Sequence, residues 1–205
     1  MKTLLPNQLR IHEAAVRLFA QSGTTQASVS ELAQAAGVAR GTIYNNVANR
    51  DALFEEVAVT VADEMHARVD ASFRTIGDPA HRLARGVRLF VRRAHDEPDW
   101  GRFIVRFALT TASLSGMLSG QPARDLKSGL ENRRYQFRAE QLTSVVASIA
   151  AATISAMSLV LDGEKTWREA GSDAVEFALR SIGVPIEDAR ALATTDLPPL
   201  PDAAD

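Results

Sequence analysis

The run RGTIYNN, residues 40 to 46, gathers side chains suited to reading a nucleic acid. Arg40 forks two donors onto a guanine edge or a phosphate, and the amides of Asn45 and Asn46 match the donor and acceptor of adenine. Thr42 and Tyr44 add hydroxyls that reach phosphate oxygens. Gly41, between them, adds no bulk, so the backbone can approach a duplex closely. Each residue also has a bland reading, Tyr44 as a half-buried aromatic and Gly41 as a tolerated position. Recognition is favoured because all of them fall in one short segment.

That segment closes a helix-turn-helix pattern. Ile11, Ala14, Ala15, Leu18 and Phe19 form the apolar stripe of a first helix, which Gly23 ends. In Ser28-Val29-Ser30-Glu31 the serine hydroxyl accepts from a free backbone N–H while the glutamate reaches back, so a second helix starts at Ser28 and carries Leu32, Ala33 and Ala36 inward. Gly37-Val38 breaks it, and a short third helix follows from Ala39 through Asn46. Asn49 with Asp51 opens a fourth through Leu53, Phe54, Val57 and Val61.

Farther along, apolar positions keep helical spacing and no segment alternates with period two, so the fold class is all-α. Pro79 begins a helix toward His95 and Pro98 begins another. Pro122, after a Gly/Ser-containing stretch from Ser115 to Gly120, marks a loop. Tyr135 to Leu161 reads as one long helix, apolar nearly all round in SVVASIAAATISAMSLVL and closed by Gly163. Thr166-Trp167-Arg168-Glu169 is a second capping box, and its helix points Ala174, Val175, Ala178, Leu179 and Ile182 inward before Gly183. Pro185 starts a last short helix, and the tail after Ala193, TTDLPPLPDAAD, is expected to be disordered. These boundaries predict a three-helix DNA-binding head over residues 1–50, a larger helical ligand-binding and dimerisation domain over 51–193, and a tail over 194–205.

Composition narrows the function. With no cysteine, disulfides, thiol catalysis and cysteine-held metals are excluded. His12, His66, His81 and His95 are scattered without metal-ligand spacing, and no G-x-S-x-G, phosphate loop or dinucleotide fingerprint occurs. No enzyme activity, metal or cofactor is therefore expected. The arginines Arg82, Arg85, Arg88, Arg92 and Arg93 could form a second nucleic-acid surface, but Arg85, Arg88 and Arg92 share a helix face and read more simply as solvated or paired with acidic neighbours. The net charge of −2 hides an asymmetry: Lys2, Arg10, Arg17, Arg40 and Arg50 face only Glu13 and Glu31 in the first quarter of the chain. No stretch is expected to span a bilayer and the start, MKTLLPNQLR, has no apolar signal core, so a cytoplasmic protein with no membrane partner is expected.

The stripe Ile11, Ala14, Ala15, Leu18, Phe19 and Gly23, followed by ELAQAAGVARGTIYNNVANRDALFEEV, resembles the DNA-binding domain of the TetR family of transcription regulators. The resemblance implies that Ala39 to Asn46 is a recognition helix, that Tyr44 contacts phosphate, and that Arg50 stands where the family often has a phosphate-binding lysine. Thr42 and Ser28 match positions that hydrogen-bond phosphate. The chain departs from the pattern at Ala39 for a usual serine, Asn46 for a frequent histidine and Val47 for a usual phenylalanine.

PDWGRFIVRFAL after Pro98 and the last two long helices are similar to regulatory domains of one broad subgroup of that family. Trp100, Phe103, Phe107, Leu114, Met117, Met157 and Trp167 are candidate pocket walls, since aromatic and thioether side chains shape apolar cavities. The same residues at helical spacing equally fill a core. Ala147, Ser148, Ala151, Ala152, Ser155 and Ala156 permit close helix approach, and in the family this helix and the next form a four-helix bundle with a two-fold mate. Val175, Ala178, Leu179 and Ile182 join that candidate interface. The expected partners are double-stranded operator DNA, a small-molecule effector and a second copy of the chain. A dimer that binds DNA without any effector, and a small-molecule binder without DNA, are the competing classes.

Overall fold

The computed structural model describes residues 5–47, 49 and 52–201, and among these every regular element is helical. The head is α1 (Pro6–Ser22), α2 (Val29–Ala36) and α3 (Arg40–Asn46). The body is α4 (Leu53–Ser72), α5 (Pro79–Asp96), α6 (Pro98–Phe107), α7 (Ala112–Glu131), α8 (Leu142–Leu161), α9 (Trp167–Ser181) and α10 (Ile186–Thr194), with a single 3-10 turn, Ala139–Gln141, before α8.

Local chemistry sets most boundaries. Gly23 and Gly37 end α1 and α2 in the left-handed conformation, φ 72° and 62°. Asp78 caps α5 by accepting from the Ala80 N–H at 3.0 Å. Thr166 caps α9 through the expected box, accepting from the Glu169 N–H at 3.3 Å while the Glu169 carboxylate takes the Thr166 N–H at 3.0 Å. In the body α5 lies against α6, α7, α8 and α9, and α4 lies on α7.

Four sequence expectations are corrected. Pro122 does not mark a loop but sits inside α7, its cavity-facing ring accommodated by packing although it cannot donate to the Leu118 carbonyl. Tyr135 does not begin α8, which starts at Leu142; it lies in the preceding connection, 2% exposed, with its ring over Gly129. The tail is ordered through Pro201: Leu197 is buried, and Arg92 and Arg68 donate to the Leu197 and Pro201 carbonyls at 3.1 and 2.7 Å. Residues 202–205 of that tail lie outside the described residues. Finally, Ala139–Leu161 is long and apolar enough to cross a membrane. In this fold it is a bundle helix, with Val146, Ile149, Ile154 and Met157 buried and Ser144, Ala147, Ser148 and Ala151 exposed.

Gly129 is a place where side-chain volume is forbidden. A helix-interior glycine ordinarily gains stability on becoming alanine, but a Cβ here would fall on the buried Tyr135 ring. Gly129→Ala is therefore expected to lower stability by about 1–3 kcal/mol. A urea unfolding midpoint equal to or above that of the parent protein would contradict this packing.

Candidate functional site

The head is tied together by its own arginines. Arg10 on α1 donates to the Ala36 and Gly37 carbonyls at 3.0 and 3.1 Å, and Arg17 to the Ala35 carbonyl at 3.0 Å. These cations meet the negative end of α2, where orphan carbonyls need donors. At the other end the Ser28 hydroxyl accepts from the Glu31 N–H at 3.2 Å and the Glu31 carboxylate takes the Ser28 N–H at 2.9 Å. Hydrogen bonding to the carboxylate from the Ser28 side chain, and then from its backbone N–H, holds the exposed Glu31 carboxyl below its ordinary range. Ser28 is thus a helix cap, its hydroxyl already engaged as an acceptor.

On this frame α3 turns one face in and one out. Ile43 is fully buried and Val47, just past the helix, is 8% exposed. Arg40, Gly41, Tyr44 and Asn45 lie on the exposed side, and Thr42 and Asn46 are half-buried. An added Cβ at Gly41 would meet nothing, so the fold itself does not require glycine there. Asn46 also bonds within its own helix. Its amide donates one N–H to the Thr42 carbonyl at 2.8 Å and finishes the helix, leaving the second N–H and the Oδ1 for other partners. Arg50 and Asp51 lie outside the described residues.

Four phenylalanines join head to body. Phe54 of α4 packs edge-on against Phe19 of α1 at 5.3 Å and against Phe107 of α6 at 4.9 Å, with Phe103 at 5.8 Å. Arg106 of α6 also donates to the Ala20 carbonyl at 2.9 Å, capping the end of α1.

Behind this latch a cavity of about 40 Å³ lies among α4, α5, α7 and α8. Its apolar walls include Val69, Phe73, Leu83, Val87, Phe90 and Met117. One end is polar. Asp125, 2% exposed, receives the Arg82 Nε–H at 2.7 Å and the Gln121 amide at 3.2 Å. Burial pushes the Asp125 carboxyl above its ordinary range, and the bonds from Gln121 and Arg82 act in the opposite direction.

Of the seven pocket residues expected from sequence, only Met117 lines this cavity. Phe103 and Phe107 belong to the latch, while Leu114 and Met157 are fully buried core. Trp100 lines an outer groove, and Trp167 lies under Arg92 and Arg168 at the start of α9. Large apolar side chains fill space, so the room remains beside Gly86 and the charged pair. The missed signal is the pair Gln121 and Asp125, four apart on α7 and facing inward with Arg82 of α5.

The candidate interface divides. Ala147, Ser148, Ala151 and Ser155 form an exposed stripe on α8, with Ala152 half-buried. Val175, Ala178, Leu179 and Ile182 are instead buried in the chain's own core and present no free surface. Phe177 of α9, which the sequence reading did not single out, is 66% exposed.

Residues 78–195 match the family model for the tetracyclin repressor-like C-terminal domain, and residues 11–57 match that for bacterial regulatory proteins of the tetR family. The chain belongs to the TetR family. An uncharacterized HTH-type transcriptional regulator of Mycobacterium tuberculosis is 27% identical over 112 residues, 55% of this chain and 54% of that protein. AcrR of Shigella flexneri is 45% identical over 47 residues, 23% of this chain and 22% of its own. The chain thus spans about half the length of the first curated relatives it matches. Among solved structures, the TetR-family fold here is similar to RolR in complex with resorcinol, with 25% identity, a TM-score of 0.71, and coverage of 95% of this chain and 96% of that one. The fatty acid degradation regulator FadR from Bacillus halodurans shares the fold at 21% identity and a TM-score of 0.69, covering 90% and 100% of the two chains.

Asp125 gives a pH test. Its folded pKa lies above the unfolded one, so the folded state binds the proton more tightly. That contribution is fully present below the ordinary carboxylate pKa and is lost as pH rises through the raised value. The stability of the parent protein minus that of Asp125→Asn should therefore increase as pH falls toward and through the carboxylate range. Paired urea titrations giving a difference that shrinks or stays constant on acidification would contradict this.

Proposed function

We propose that this TetR-family chain is a DNA-binding transcriptional regulator that acts as a homodimer and responds to a small, largely apolar effector. The observation that carries the reading is α3: a short helix anchored by Ile43 and Val47 that presents Arg40, Gly41, Tyr44 and Asn45 outward. In a dimer two such helices enter successive major grooves roughly 34–36 Å apart. The stripe Ala147, Ser148, Ala151 and Ser155 with Phe177 is the face proposed for the two-fold contact. The protein acts in the cytoplasm, with the chromosome, as a regulator and not an enzyme.

The effector site is the cavity ending at Arg82, Gln121 and Asp125. Resorcinol bound to RolR, at 25% identity, supports a ring compound carrying hydroxyls. At about 40 Å³ the cavity has room for roughly three waters, so an effector enters only as the walls part. Pro122, which leaves the Leu118 carbonyl of α7 without its helical donor, makes that wall the one to yield. An effector that prefers the opened state lowers operator affinity, and operator lowers effector affinity by the same factor. The small cavity also favours a second reading, a DNA-binding dimer without an effector. Equal operator affinity with and without a bound ring compound would select it.

Selection from a random double-stranded pool should yield a palindrome. On it Arg40→Ala and Asn45→Ala should each lose on the order of 1–3 kcal/mol, with a smaller loss on unselected DNA. Equal losses on both DNAs would refute base reading, and sedimentation at the mass of one chain would refute the two half-sites.

A further inference from the structure

A groove of about 450 Å³ separates head from body, outside the cavity behind α7. Its apolar walls are Leu9 and Val16 of α1, Val57 and Val61 of α4, and Pro98 with Trp100 at the start of α6. Its volume falls in the range that takes small-molecule ligands. Trp100 is only 4% exposed, yet its Nε1–H finds no acceptor among the described residues. His12, on the same groove, leaves Nδ1 buried and equally unpartnered among them. A buried indole donor ordinarily has a partner, and leaving it bare costs free energy that an arriving acceptor recovers.

Apart from Glu13, which is exposed to solvent, the charged groups of the groove are already engaged. Arg93 holds Glu64 and Glu97, each at 3.0 Å, while its guanidinium lies 4.4 Å from the Trp100 ring centre and fixes the indole. Arg68 pairs with Glu64 at 2.9 Å, Asp99 faces Arg102 at 3.6 Å, and Arg17 donates to the Ala35 carbonyl. The carboxylates of the groove outnumber its arginines, so an anionic ligand would meet a net negative lining, whereas a neutral acceptor brings what Trp100 lacks.

We infer that this groove binds a neutral small molecule whose apolar body lies on Val16, Val57 and Val61 and whose carbonyl oxygen accepts the Trp100 Nε1–H. Such a molecule touches α1 on one side and α4 and α6 on the other, so it wedges the head against the body. Its effect on operator affinity rests on the regulatory reading above; its binding does not.

The test uses nitrogen-15-labelled full-length protein and the Trp100 indole N–H resonance, assigned by its survival in Trp167→Phe. Benzylacetone, a neutral ketone with an apolar body, is the probe, and phenylbutyrate is its anionic counterpart. A saturable downfield shift with benzylacetone is expected, with little response to phenylbutyrate. Thr60→Phe, which fills the groove from a half-buried position, should abolish that shift, and Gly86→Leu, which fills the other cavity, should leave it unchanged. The proposal is overturned if the resonance does not move, if only the anion moves it, or if Gly86→Leu removes the shift while Thr60→Phe keeps it. Because no DNA is present, a protein that selects no operator but shows the shift retains this site and loses only the regulatory reading.

Discussion

The contact on which the rest depends is the seat of α1 on α6. Phe54 is its centre, touching Phe19 of the head and Phe103 and Phe107 of the body, and Arg106 closes it by capping the Ala20 carbonyl. Gly23 serves this contact twice. Its φ of 72° makes the turn, and a Cβ there would come within 2.8 Å of the Arg106 guanidinium. Since Arg10 and Arg17 fix α2 to α1, the orientation of α3 is inherited from α6.

α4 carries that dependence to the cavity. Its first turn supplies Phe54 to the latch and its last turns supply Val69 to the cavity wall, so one helix touches both places. The α5 arginines hold the surroundings. Arg82 neutralises Asp125, Arg93 joins Glu64 of α4 to Glu97, Arg85 donates to the Ser72 carbonyl at 2.9 Å, and Arg92 binds the tail. A movement of the cavity wall is therefore resisted by charged hydrogen bonds as well as by packing.

What the sequence made legible was local. The caps at Ser28 and Thr166 and the glycine stops at Gly23 and Gly37 lie where expected, because each needs only residues three or four apart. Which α3 residues face outward was legible for the same reason. Apart from the apolar length of Ala139–Leu161, which composition alone shows, the errors are tertiary. Pro122 reads as a break until α5 and α8 pack around it, Tyr135 reads as helix until Gly129 receives its ring, and the tail reads as disordered until the α4 and α5 arginines hold its carbonyls. On α9 an inward stripe looks the same whether it meets its own core or a second chain, and in this chain Val175 and Leu179 are buried in its own core while Phe177 is exposed.

Native-state hydrogen exchange tests the latch most directly, because it reads the opening free energy of each helix separately. If α1 and α6 share one core, the amides of Phe19 and Ala20 exchange with the same free energy and denaturant dependence as those of Phe103 and Ile104. Arg106→Met then lowers both sets together. Exchange of the α1 amides through a cheaper opening that leaves α6 protected would contradict the account.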